Sequence, residues 1–327
     1  MLYLGIDIAK ETFDVALLAG GQPHRGHFSN DRQGHIKLGR WLENRSQGQL
    51  EAVHACLEAS GRYWEAVAQY LMTQGVAVSV VNPKPVKHHG QALMQRNKTD
   101  PEDALTIADY CAKHQPDLWQ PPSPAYQELK DMVRHVQALK EDRQRERNRR
   151  QSGVQNEQVL KTIDAHLAFL DEQITSLSRQ INDHIDQHDE LRRDKALLES
   201  IPGVGEVVAA TFMAEVPDVS RFDQAGQVAA YAGLTPGQHQ SGSSVYRPSK
   251  LVKWGNARLR AVLYMPALSA HRWNPIVASL RCRLQVNGKS KMTIVVAVMR
   301  KLVHLCYGVL KTGKPFDPNH GPDYQFA

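Results

Sequence analysis

Cysteine is scarce in this chain of 327 residues: Cys56, Cys111, Cys282 and Cys306 stand far apart, and no CxxC pair occurs. That spacing argues against a zinc site or a disulfide framework and suits a reducing compartment. All four are expected to be small buried side chains. Long apolar runs are lacking too. None approaches the ~20 residues of a membrane span, and the longest candidate, Met292 to Leu310, is broken by Arg300, Lys301 and His304. No basic stretch precedes the first apolar run, which meets Asp7 at once, so neither a signal peptide nor a membrane partner is expected. Acids are scarce in one region only. Residues 201–327 hold 15 Lys and Arg against 6 Asp and Glu, which concentrates the excess of positive charge there. Such a surface attracts polyanions, nucleic acid above all.

What is present centres on Asn97-Lys98-Thr99-Asp100-Pro101-Glu102-Asp103-Ala104. Pro101 suits a first helical turn, and acids there are favoured by the helix dipole. Asp100 and Asp103 share one helix face at i and i+3. Two carboxylates that close repel unless a cation lies between them, and Mg²⁺ takes carboxylate oxygens. Capping alone also explains these eight residues, so the rest of the chain must decide.

Strands are expected at residues 2–8, 12–18 and 25–28, a helix at 31–42, and a strand at 51–57 closing on Glu58. A helix at 63–74, a strand at 76–81 ended by Asn82-Pro83-Lys84-Pro85, and a helix from Asp100 through Cys111 follow. This order is that of the ribonuclease-H-like fold. There Asp7, Glu58, Asp100 and Asp103 converge at one end of the sheet. Asp7, on a central strand, is expected to be partly desolvated, and an unpaired buried carboxylate is costly. Four converging acids make sense as a Mg²⁺ cage. Actin-like ATPases and sugar kinases open similarly but need a glycine-rich turn after the acid; here Ile8-Ala9-Lys10-Glu11 follows.

A proline-rich boundary lies at 114–124. Helix dominates from there to about 198. Arg143, Arg145, Arg147, Arg149 and Arg150 form a charge run, read as a solvated face or as phosphate contacts. Ile163, Leu167, Leu170, Ile174, Leu177 and Ile181 step 4-3-4-3-4, an a/d seam for a helical hairpin or for subunit pairing. Ile201-Pro202-Gly203-Val204-Gly205 fits the turn of a helix-hairpin-helix, with Gly203 and Gly205 admitting a phosphate; an ordinary tight connection is the other reading. Gln240 to Ser244 reads as a polar loop followed by Arg247, Lys250 and Lys253, a phosphate site, a nucleophile loop or plain solvated chain. No GxSxG elbow is present. The helix over 292–310 is expected to keep Arg300 and Lys301 on a polar side.

Six motifs occur in order: Gly-Ile-Asp (5–7), Leu-Glu-Ala-Ser-Gly (57–61), Asn-Lys-Thr-Asp-Pro-Glu-Asp-Ala (97–104), Ser-Ile-Pro-Gly-Val-Gly (200–205), Ala-Gly-Leu-Thr-Pro (232–236) and Ser-Gly-Ser-Ser (241–244). With them the chain resembles, over residues 1 to about 315, the DEDD-type insertion-sequence transposases related to the Piv DNA invertase, also described as bridge-RNA-guided recombinases. The resemblance implies an α/β RuvC-like catalytic domain (1–120), a helical coiled-coil segment (121–198), a mostly α transposase domain (199–315) and a loose tail (316–327). It implies Asp7, Glu58, Asp100 and Asp103 as ligands of Mg²⁺ (or Mn²⁺), and Ser241 as the nucleophile. It implies target and donor DNA, a structured bridge RNA and a homo-oligomer, dimer to tetramer, as partners. Lys84, Lys87, Arg96 and Lys98 are candidates for RNA contact. A cytoplasmic enzyme acting at the nucleoid is expected; a RuvC-like junction nuclease using water and a non-catalytic scaffold are the alternatives.

Overall fold

The computed structural model describes residues 1–319 apart from 21, 60, 94–98, 242–244 and 253, and gives the backbone alone for 238–241, 245–250 and 252. The chain divides into two compact units, Met1–Pro121 and Pro122–Ala327.

The first unit is built on a mixed five-stranded sheet of order β3-β2-β1-β4-β5. Strands β1 (Leu2–Ile8), β2 (Thr12–Leu18) and β3 (His24–Ser29) form an antiparallel meander. Strands β4 (Val53–Glu58) and β5 (Ala77–Val81) add to it in parallel. Alternation of side chains assigns the two faces. Leu4, Ile6, Val15, Leu17, Ala55 and Leu57 are buried with residues of α1 (Arg32–Arg45) and α2 (Glu65–Thr73). The other face carries Gly5, Ala16 and Cys56 beneath α3 (Pro83–Ala92) and α4 (Asp100–His114).

Several elements differ from expectation. Glu51 and Ala52 belong to a 3₁₀ turn, Leu50–Ala52, not to β4. Asn82-Pro83-Lys84-Pro85 ends β5 and also starts a helix. The Asn82 side chain accepts from Lys84 N–H at 3.0 Å, and Pro83 occupies the first turn, where no N–H is needed. Cys282 is exposed, while Cys56, Cys111 and Cys306 are buried.

The second unit is helical around one core. Helices α5 (Pro124–Gln151) and α6 (Glu157–Gln187) run antiparallel, because His184 meets Ala125 O, Arg143 meets Asp171 and Arg150 meets Asp164. Of the seam, Ile163, Leu170, Ile174 and Ile181 are buried. The arginine run lies mostly in ion pairs with acids of these helices: Arg143–Asp171 at 2.7 Å, Arg149–Glu146 at 2.6 Å, Arg150–Asp164 at 2.5 Å, and Arg145–Asp142. Then come α7 (Asp189–Glu199), α8 (Glu206–Glu215) and α9 (Ala225–Tyr231). Strands β6 (Thr235–Ser241) and β7 (Val245–Val252) pair as a β-hairpin that was not expected; of the polar loop expected at Gln240 to Ser244, Gln240 and Ser241 end β6 and 242–244 lie outside the described residues. Helices α10 (Ala257–Ser269), α11 (Pro275–Val286) and α12 (Lys291–Thr312) complete the unit.

By length and composition α12 could cross a membrane, but Val298, Leu302, Leu305, Cys306 and Val309 are core residues. Its supposed polar side is covered as well, for Lys301 is buried. Burial, with Arg300 and Lys301 close by, lowers the His304 pKa to about 4.

Candidate active site

The close approach that organises the site is at Gly5. A Cβ there would overlap Ala104 O and Ala108 N of α4, so only glycine lets the helix lie directly on β1. Asp7 lies two residues along the strand, on the same face. Asp103 directly precedes Ala104 and Asp100 lies about one helical turn before it, toward the same end. Leu57 pairs with Ile6 in the parallel register, which brings the next residues, Glu58 and Asp7, to one level on adjacent strands.

Electrostatics report the convergence. The Asp7 pKa is raised from 3.8 to about 6, by burial first and then by the charges of Asp103, Asp100 and Asp14. The Ile8 N–H opposes this by donating to its carboxylate. Glu102 faces elsewhere, in an ion pair with Arg25 of β3 at 2.8 Å. Asp100, Glu102 and Asp103 therefore share a helix start, but the charges of Asp100 and Asp103 bear on Asp7 while Glu102 pairs with Arg25.

Asp14 was not singled out from sequence. It is the register partner of Asp7, and His27 on the next strand holds its Oδ2 from Nδ1 at 3.1 Å. His27, Asp14, Asp7 and Glu58 thus form one row across four strands. The signal was available: a short connection between two antiparallel strands fixes which positions face each other. The last pair is Ile8 with Phe13, so residues 9–12 make the connection and position 14 falls opposite position 7.

The other candidates are not gathered in this way. Lys84 and Lys87 are exposed on α3; Arg96 and Lys98 lie outside the described residues. Ser241 is the last residue of β6, and Arg247 and Lys250 lie on β7, all three described by backbone alone. Lys253 lies outside the described residues. Gly203 has φ +99°, and a Cβ there would lie 2.7 Å from Ala270 Cβ, so internal packing already accounts for it. Gly205, the N-cap of α8, is exposed and has nothing within 4 Å of where a Cβ would stand.

Comparison with known proteins matches this arrangement. Residues 4–157 fit the DEDD transposase model of IS110 elements, described as "Transposase". Residues 195–281 fit the "Transposase IS116/IS110/IS902 family". The pilin gene-inverting protein of Moraxella bovis is 34% identical over 317 residues, covering 96% of this chain and 97% of its own length. The Moraxella lacunata protein of that name matches equally. The transposase for insertion sequence element IS1111A of Coxiella burnetii is 23% identical over 293 residues, covering 80% and 75%. A mixed sheet presenting converging carboxylates under such matches defines a DNA transposase or recombinase, an enzyme whose partner is DNA. The chain belongs to the IS116/IS110/IS902 family of transposases.

The DEDD domain implies a divalent cation. The donors suit one: they are hard carboxylate oxygens, and the raised Asp7 pKa records burial first and then a repulsion from Asp103 and Asp100, both of which a bound cation offsets. Yet among the described residues no three His, Cys, Asp or Glu side chains are gathered to hold a metal ion. The chemistry of the donors and their places on β1, β4 and α4 fit such an ion.

Proposed function

We propose that this enzyme cuts and rejoins the DNA of an insertion sequence, with Asp7, Glu58, Asp100 and Asp103 holding Mg²⁺ (or Mn²⁺) and Ser241 as nucleophile. The observation that carries the reading is the gathering of carboxylates about Asp7: Glu58 lies at its level on the adjacent strand, and burial together with the charges of Asp103 and Asp100 pushes it up to about 6. We read the strand order 3-2-1-4-5 with its acid-bearing central strand as ribonuclease-H-like. A bound divalent cation would supply Lewis-acid polarisation of the scissile phosphate. The chain's own residues do the rest. Ser241 Oγ attacks phosphorus, an O–P bond forms, and the bond to a deoxyribose oxygen breaks. The serine proton leaves to a carboxylate, and the deoxyribose oxygen is protonated. The phosphoserine link keeps the strand end attached for exchange.

The acids belong to the first unit and Ser241 to the second, and we propose that one subunit's acids act on a phosphate attacked by another subunit's serine. This requires a dimer or tetramer, with the α5–α6 hairpin as a coiled-coil pairing element. A structured bridge RNA would select target and donor by base pairing, leaving the protein to read A-form shape and backbone. Lys84, Lys87, Arg96 and Lys98 would serve RNA, and Gly205, Arg247, Lys250 and Lys253 DNA phosphates. The Moraxella relatives are named for inverting a pilin gene, so inversion is one reaction within this proposal.

The test uses supercoiled plasmid, Mg²⁺ and the RNA of the same element. Wild type is expected to leave protein covalently attached to DNA after denaturation, and Ser241→Ala none. Full strand exchange by Ser241→Ala overturns the nucleophile assignment. The alternative, water attack as in a RuvC-like nuclease, is favoured by the acids converging within one unit; it predicts cut ends free of protein. Unchanged DNA processing by Asp103→Asn would leave only a binding scaffold.

A further inference from the structure

The β6–β7 hairpin is held where its two feet cross. Tyr231, at the end of α9, leads into it; Gly255 and Asn256 lead out into α10. Gly255 has φ +142°, and a Cβ there would overlap Tyr231 O and lie 2.6 Å from Gly233 N. Asn256 N–H donates to Tyr231 O at 2.7 Å. Arg260 donates to Ala232 O at 3.0 Å, and Arg300 to Leu234 O at 3.4 Å. One of these groups, Asn256, is tied to a buried charge. The Glu215 carboxylate, at the end of α8, accepts from Arg134 Nε and Nη2 of α5, both at 2.8 Å, and from Asn256 Nδ2 at 2.6 Å. The Glu215 side chain is fully buried. Asn256 is used twice more, since its Oδ1 accepts from Arg258 N and Leu259 N and caps α10.

A buried ion pair contributes little net stability compared with apolar residues of the same volume, because both charges lose their water. It does fix a geometry. An arginine fork on a carboxylate allows one plane and one angle. Here the carboxylate's remaining bond goes to the residue on which β7 hands over to α10.

We propose that Arg134, Glu215 and Asn256 are positioning residues: a buried brace that sets the direction of the β6–β7 hairpin and so the place of Ser241. The proposal rests on the reading of Ser241 as nucleophile, but the brace itself is measurable without it. Glu215→Gln keeps the shape and removes the charge. In the full-length protein, hydrogen exchange of residues 235–252 is expected to quicken roughly tenfold while α5, α6 and α8 keep their protection. Covalent protein–DNA formation is expected to slow by about 10- to 100-fold, as misplacement of a reacting group does. Affinity for the plasmid site is expected to stay within about threefold, since phosphate contacts are retained.

Should Glu215→Gln fail to fold, Asn256→Ser carries the same test: serine still caps α10 but cannot donate to Glu215 as the amide does. Hairpin exchange unchanged, or quickened equally throughout residues 122–319, overturns the brace. If Ser241→Ala retains full activity while Glu215→Gln loosens the hairpin alone, the nucleophile reading fails and the brace stands.

Discussion

Replacing Asp7 by Asn is expected to stabilise the metal-free protein while removing its activity. The stability half follows from proton linkage. The Asp7 pKa is about 6 in the folded state against 3.8 for the free group, so the native state binds this proton more tightly than the unfolded state does. Below about pH 4 the group is protonated in both states and costs nothing. Between about 4 and 6 the wild type loses stability as pH rises, and above about 7 the penalty is constant. At ~1.4 kcal/mol per unit, reduced for partial solvent contact, the gain for Asp7→Asn is about 1–3 kcal/mol at pH 7.5 in EDTA. Thermal melts at pH 4 and 7.5 check it. The two proteins should coincide near pH 4 and separate by several degrees at 7.5. Mg²⁺ should then raise the wild-type Tm and leave Asp7→Asn unmoved, while strand cleavage falls on the order of 10³-fold or more. A variant less stable than wild type at pH 7.5 in EDTA would contradict the electrostatic account.

Gly5→Ala is expected to damage the first unit severely, although it adds one methyl group. The overlap is with Ala104 O and Ala108 N, main-chain atoms of a helix that cannot rotate out of the way. Helix α4 must lift from β1, which loosens the packing of Ala16, Ala104 and Ala108 and carries Asp100 and Asp103 away from Asp7. Overpacking at a flexible site costs about 1–3 kcal/mol; against backbone the expected loss is about 3 kcal/mol or more. Denaturant melts should show the first unit unfolding well before the second. At a temperature where the variant remains folded, Mn²⁺ binding by calorimetry should weaken at least about tenfold, because two carboxylates have moved. Wild-type Mn²⁺ affinity in a folded Gly5→Ala protein would show that α4 does not need this close approach.

The sequence made the first unit readable because its signals are local. Strands β1, β2 and β5 are short β-branched or leucine-rich runs, and turn residues separate them. Asp31, expected as the first residue of the helix over 31–42, instead caps α1 through the Gly34 N–H at 2.7 Å. The acids were legible through order along the chain, since each lies at an element end whose place in the sheet follows from connectivity. Asp14 escaped because its role depends on register, a relation between strands. Helix α3 escaped because Asn82-Pro83-Lys84-Pro85 is both a strand stop and a helix start, and only the first meaning was used. The β6–β7 hairpin escaped for a different reason. Its strands contain Gly237, Pro236 and Pro248, which lower β-propensity, and its pairing has an irregularity between Gly237 and His239. The arginine run shows the limit of composition: five like charges in eight residues suggest a polyanion site until α6 is seen to supply Asp164 and Asp171.

The hairpin is a ribbon of two strands, with no third strand beside it among the described residues. Two-stranded ribbons are marginal in water, because each strand keeps one unsatisfied edge. A freely hinged ribbon would have to surrender its conformational freedom on meeting DNA, and its affinity would be lower by that amount. The crossing at Gly233 and Gly255 removes much of this freedom in advance, at the root of the arm and not along its length. The arm therefore resembles a stylus more than a lid. Its reach is set when the second unit folds, and each of its strands keeps one edge without a partner strand among the described residues.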